Sequence, residues 1–159
     1  MIKTNVMRML ETARIPYNAA EYPFDEKDLS GMHAAEGIGL PPQQVFKTLV
    51  TRGDKKGIIV FCIPVCNELD LKKAAAVSGN KSIEMTHVKE LQALTGYIRG
   101  GCSPIGMKKK YPTYIDETAI LYDTIAVSAG QRGIQILLNP MDILGFIDAV
   151  AADLTRGDG

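Results

Sequence analysis

Val45-Phe46-Lys47-Thr48-Leu49-Val50, the turn Gly53-Asp54-Lys55-Lys56-Gly57, and Ile58-Ile59-Val60-Phe61-Cys62-Ile63 are the stretch from which the fold is read. Residues 57–65 are almost continuously apolar, which suits a central strand buried on both faces. The preceding run is apolar too, with one exception. Side chains alternate along a strand, so Lys47 shares a face with Val45 and Leu49, while Phe46, Thr48 and Val50 take the other. An ammonium withdrawn from water without a partner costs several kcal/mol. Two readings of Lys47 follow: an edge-strand lysine whose head snorkels to solvent, or a lysine aimed into a cavity for an anionic or carbonyl-bearing ligand.

Upstream, Thr4 caps a helix carrying Val6, Met9, Leu10 and Ala13 and closed before Pro16. A short strand fits residues 17–22, a polar acidic loop 23–30, and a short helix Gly31 to Ile38, stopped by Gly39 and Pro41. Downstream, Asp70 caps a helix that Gly79 stops, a strand over 82–85 leads to a helix over 86–94 ended by Gly96, and further strands fit Tyr114-Ile115, Ile125 to Ser128 and Ile134 to Leu138. Asn139-Pro140 opens a last helix, whose buried face would carry Met141, Leu144, Ile147 and Val150. Strands interleaved irregularly with helices predict an α+β fold, a mixed, barrel-like β-sheet surrounded by short helices. With 159 residues, the chain is expected to form one domain over 1–155 with a frayed tail at 156–159.

A hydrophobic fraction of 46% against 23% charged residues argues for a folded globular protein rather than disorder. Eighteen basic residues balance eighteen acidic ones, which excludes a general nucleic-acid coat protein; any polynucleotide would be met through a local patch. Cys62, Cys66 and Cys102 form no CxxC pair, and with only His33 and His87 beside them they make a poor zinc set, so neither metal nor cofactor is expected. Lys3, Arg8 and Glu11 interrupt the N-terminal apolar residues, and the apolar runs are too short to span a bilayer. A cytoplasmic location is expected, with no membrane partner.

Gly100-Gly101-Cys102-Ser103-Pro104-Ile105-Gly106 is the densest special-backbone segment. Its three glycines allow close approach of main chain to ligand, and exposed amides can hold an oxyanion or phosphate; a tight structural turn would explain them as well. It matches neither a Walker loop nor a GxGxxG fingerprint. Lys108-Lys109-Lys110 follows, either a solvated face or a phosphate clamp. Ser128-Ala129-Gly130-Gln131-Arg132-Gly133 is a second small-residue turn between strands, where Arg132 is either idle or a phosphate grip. Ser103 and Ser128 lack a nucleophile-elbow context, the histidines carry no triad signal, and no motif supplies Cys102 with a base. An enzyme of this composition would work by positioning and electrostatics rather than by a built-in nucleophile.

Taken in order, Gly39-Leu40-Pro41-Pro42-Gln43-Gln44-Val45-Phe46-Lys47-Thr48-Leu49, Leu69-Asp70-Leu71-Lys72-Lys73-Ala74, the stretch from Thr95 through Gly106, and Val127-Ser128-Ala129-Gly130-Gln131-Arg132-Gly133 resemble the YbaK/EbsC family, the bacterial Cys-tRNA(Pro) deacylases related to the editing insertion domain of prolyl-tRNA synthetase. The resemblance covers nearly the whole chain. It implies that Lys47 holds the aminoacyl end of the tRNA, and that Gly100, Gly101, Ser103 and Gly106 belong to a loop lining the same pocket. Tyr22, Thr48, Ser128 and Arg132 are implied as further lining residues. It also implies substrate-assisted chemistry, in which the cysteine thiol attacks its own ester carbonyl and leaves as a cyclic thiolactone. The partners expected are tRNA and the prolyl-tRNA synthetase, which would present a substrate that a neutral protein binds loosely. The sequence departs from the family pattern at Gln135, where close relatives carry aspartate, and over residues 24–30, with no aromatic near Ser30; both bear on amino-acid specificity. The rival readings are a deacylase for another amino acid such as alanine, and a non-catalytic tRNA- or nucleotide-binding module.

Overall fold

The computed structural model describes residues 2–156. Strands β2 (Phe46–Gly53) and β3 (Gly57–Pro64) pair antiparallel in full register, from Phe46 opposite Pro64 to Gly53 opposite Gly57. Asn80 holds the connecting turn: its Oδ1 accepts from the amides of Lys55 (3.0 Å) and Lys56 (2.8 Å). Around this pair a five-stranded sheet forms in the order β4-β2-β3-β5-β8, with β4 over Ile83–Met85, β5 over Thr113–Asp116 and β8 over Val150–Ala152. β4 joins antiparallel, whereas β5 and β8 join parallel. A second sheet, β1-β7-β6, consists of Asn18–Glu21, Ile134–Leu138 and Ile125–Ser128, all antiparallel. A parallel bridge between Val45 and Ala126 links the two sheets, so the mixed, helix-flanked architecture is as expected but the strands do not close into one barrel.

The unbroken apolar run of β3 has a direct cause. Val60 and Cys62 face a core shared with the second sheet and with Val6, Met7 and Leu10 of helix α1 (Asn5–Thr12). Ile59, Phe61 and Ile63 face another, made with Leu69, Leu154 and with Ala74 and Ala75 of α3 (Leu71–Ser78). Neither face meets water, so neither carries polar residues. The helix signals also take the expected roles. Thr4 Oγ1 accepts from the Met7 amide, Asp70 Oδ1 from the amides of Lys72 and Lys73, and Asn139 Oδ1 from that of Met141. Gly39 caps α2 (Gly31–Ile38), and Gly79 ends α3 at φ +75°, a left-handed conformation open to glycine.

Three local expectations need correction. Helix α5 (Pro140–Phe146) is shorter than its apolar spacing suggested: Ile143 is buried and Leu144 and Ile147 pack on the first core, but Met141 is 60% exposed. Asp148 turns the chain at φ +54°, and Val150 then enters β8 beside Tyr114. The helix expected over 86–94 is a 3-10 turn at Val88–Glu90 followed by α4 (Leu91–Thr95), because the amide and hydroxyl of Thr86 both donate to Val50 O and keep it extended. Arg156, placed with the tail, donates its amide to Glu68 O and pairs with the Glu68 carboxylate at 3.0 Å; residues 157–159 lie outside the described residues. Among the described residues, no helix is long and apolar enough to cross a membrane.

Candidate functional site

β4 covers only Thr51, Arg52 and Gly53 of β2, so the first half of that strand is paired through β3 alone. Beside it lies a cavity of about 370 Å³. Val45, Phe46, Lys47, Thr48 and Leu49 form one wall, and the start of α2 (Ser30, Gly31, Met32, Ala34) with Leu29 forms another. Arg99, Gly100 and Cys102, together with Val65 and with Gln135 from β7, complete it.

Lys47 is half-buried, and among the described residues no carboxylate comes within ion-pairing distance of its ammonium. Loss of hydration lowers its pKa from the ordinary lysine value, opposed by the charge of Glu68 and then by Cys66. Arg99 is the other charged residue in the lining, which contains neither a carboxylate nor a histidine. The cavity therefore presents donors, and its electrostatics suit a phosphate or a carbonyl oxygen gaining negative charge.

The two glycine-rich turns singled out in the sequence lie side by side. A Cβ at Gly101 would stand 3.1 Å from the Arg132 amide nitrogen and 3.2 Å from the Gln131 carbonyl carbon, so that position admits only glycine without a backbone shift. Arg132 Nε donates to Arg99 O at 2.9 Å, tying the second turn to the cavity rim. Of the expected site residues, Lys47, Thr48 and Gly100 line the cavity directly. Gly101 and Arg132 stand behind the rim. Ser103 is fully buried, its Oγ accepting from the Ile105 amide at 3.2 Å, and Ser128 Oγ accepts from the Gly130 amide at 3.1 Å; both hydroxyls brace turns. Gly106 lies against the Tyr97 hydroxyl and Met9 and borders a separate groove with Lys109 and Lys110. Lys110 pairs with Asp148. Tyr22 packs over Gly37 with its ring edge-on to His33, 6.2 Å between centroids.

Cys102 lines the cavity, but burial pushes its thiol up to about 12 against a bond from Thr95 that lowers it, so it is held as an unactivated thiol. Among the described residues, no group of three or more histidine, cysteine or acidic side chains is placed to hold a metal. The sequence reading gave no role to Arg99 or to the start of α2. Arg99 stood in the quoted motif without a signal of its own, and Ser30, Gly31 and Met32 read as helix-start residues that reach the site only through tertiary packing.

Residues 30–146 match the aminoacyl-tRNA editing domain family, and the chain belongs to that family, an aminoacyl-tRNA deacylase by class. The match includes every cavity-lining residue except Leu29. A relative from Enterococcus faecalis, named provisionally as the Cys-tRNA(Pro)/Cys-tRNA(Cys) deacylase EbsC, is 53% identical over 153 residues, spanning 96% of this chain and 93% of its own. A crystal structure described provisionally as a trans-editing enzyme for prolyl-tRNA synthetase superposes with a TM-score of 0.82 at 29% identity, covering 96% of this chain and 95% of that one. The proline–tRNA ligase of Thermosipho africanus is 28% identical over 108 residues, 60% of this chain and 19% of the ligase.

Proposed function

We propose that the protein edits in trans, removing cysteine from tRNA(Pro), with Cys-tRNA(Cys) as a second substrate. The observation that carries this reading is Lys47, a half-buried cation with no carboxylate within ion-pairing distance among the described residues, in a cavity lined by neither histidine nor acid. Such a lining offers no histidine or carboxylate to activate water, and its one thiol, Cys102, is held protonated by burial, whereas a cysteinyl ester brings its own nucleophile. In the step proposed, the substrate thiol sulfur bonds to the ester carbonyl carbon and the carbon–oxygen ester bond breaks. The thiol proton passes to the departing ribose oxygen, and a thiolactone leaves. Lys47 holds the aminoacyl ester and steadies the developing oxyanion, with Gly100, Gly101 and Thr48 shaping the pocket around it and Arg132 securing its rim. Ser103, Ser128 and Gly106 keep the two turns in place, and Tyr22 supports α2 beside the cavity. Orientation of an already activated ester supplies as much as roughly 7–11 kcal/mol in favourable cases. The neutral charge of the chain supports delivery of tRNA by a prolyl-tRNA synthetase rather than tight binding of free tRNA.

The test is a deacylation time course on Cys-tRNA(Pro), Ala-tRNA(Pro) and Cys-tRNA(Cys). Loss of cysteine with survival of alanine is expected; equal clearance of the alanyl ester would make water the attacker and end the thiolactone mechanism. Cys102→Ala is expected to keep turnover within about twofold, since a thiol raised to about 12 is almost wholly protonated at neutral pH. A variant that lost turnover would make Cys102 the nucleophile.

A further inference from the structure

Gln135 is 6% exposed on β7 and lines the Lys47 cavity. Its Oε1 is the only buried side-chain nitrogen or oxygen among the described residues without a hydrogen-bond partner. An amide oxygen kept from water with its acceptor capacity unmet calls for a partner from outside the fold. The other side-chain oxygens in the lining are engaged. Ser30 Oγ donates to Asp28 and accepts from the His33 amide, and Thr48 Oγ1 lies against Cys62 Sγ at 3.8 Å. The two charged residues, Lys47 and Arg99, can only donate. One idle acceptor thus sits in a cavity otherwise furnished with donors, and with no carboxylate to compete for an amine.

In an aminoacyl ester, donors on the protein suit the carbonyl and the phosphate, and a buried acceptor suits an N–H. The amine on the carbon next to the carbonyl is the strong donor that every aminoacyl group carries close to the reacting atom. We propose that Gln135 Oε1 accepts a hydrogen bond from the α-amino group of the bound amino acid, making Gln135 a specificity-determining residue; this rests on the deacylase reading of the same cavity. The bond fixes the direction in which the α-carbon presents its side chain, and an acyl-tRNA lacking the amine leaves the amide oxygen stranded.

Two stable adenosine 3′-amides test this by calorimetry, one bearing cysteine and the other 3-mercaptopropionate, which differs only in lacking the amine. The wild-type protein is expected to prefer the cysteine compound by about tenfold. Gln135→Met, similar in size without the acceptor, is expected to bind both compounds alike, whereas Gln135→Glu, which keeps an acceptor, retains the preference. If Gln135→Met fails to fold, Gln135→Asn withdraws the oxygen by one methylene and takes its place. Equal wild-type binding of the two compounds, or a preference that survives Gln135→Met, overturns the proposal and leaves the deacylase reading standing. Binding of neither compound by the wild type overturns both.

Discussion

Lys47 and Arg52 stand five residues apart on β2, and the strand treats its two cations oppositely. Arg52 lies where β2 is flanked by both β3 and β4, and its guanidinium reaches Glu90 at 2.9 Å. That pairing raises the arginine pKa and holds the Glu90 carboxyl down at about 2. Lys47 lies where β4 has ended, beside the cavity, with no such partner among the described residues and its pKa lowered by burial. The structured half of the strand uses its charge to hold neighbours together. The open half keeps its charge available for something that arrives. An odd separation also puts the two side chains on opposite faces, so the same strand serves both purposes without their meeting.

Several experiments would break or sharpen this contrast. Lys47→Ala is expected to lower Cys-tRNA(Pro) deacylation by about 10²–10³-fold, the scale on which removing one preorganised oxyanion donor acts. The fold should survive, since among the described residues no side chain or carbonyl is bonded to the ammonium; single-turnover rates beside a melting curve would show both. Thr51→Val probes the structured half. Thr51 is fully buried and donates to Ile59 O at 2.8 Å, so the variant should lose about 1 kcal/mol in urea unfolding while single-turnover deacylation stays near wild type.

The third experiment is a pH series. The folded pKa of Lys47 lies below the unfolded one, so between that value and 10.5 the unfolded chain holds more protons and stability rises with pH. Lys47→Met removes the buried charge. It should be the more stable protein at neutral pH, with the gap in urea midpoint closing as pH climbs toward 10.5. A gap that stays constant would mean Lys47 is not destabilised by burial. The smallest effect is expected from Arg52→Gln, whose partly exposed ion pair lies away from the cavity lining: turnover should stay within about twofold.

What could be read ahead of the structure was whatever a short stretch decides by itself. Thr4, Asp70 and Asn139 cap the helices they precede because a side-chain oxygen near free amides needs nothing distant. The run from Ile58 to Ile63 announced a strand with two covered faces, and Lys47 was conspicuous because it broke such a pattern. Features that depend on distant pairing were not legible. Val150-Ala151-Ala152 has the composition of a helix end and becomes a strand only because β5 offers an edge. The two sheets meet through the Val45–Ala126 bridge, a contact across a long stretch of chain that no local pattern announces. Around the site, Gly100 was visible for its backbone, but the burial of Ser103 and the packing of Gly101 against Arg132 come from two turns meeting in space. Gln135 was noticed only as a departure from the family pattern; its unmet oxygen is a property of the assembled cavity.

Leu154 has a consequence for anyone wishing to move this activity into another protein. It is fully buried in the core beneath β3, its amide donates to Asp116 Oδ1 at 3.0 Å, and its carbonyl accepts from the Asp70 amide at 2.8 Å. The segment shared with the family ends at residue 146, and it begins after Val6, Met7 and Leu10, which fill the other core. A graft cut at the family's borders would therefore carry nearly the whole cavity and leave behind a plug for each of the two cores. The recipient would receive two uncovered apolar surfaces along with its new pocket. The segment that lines the cavity is thus shorter than the segment that fills the cores beneath it.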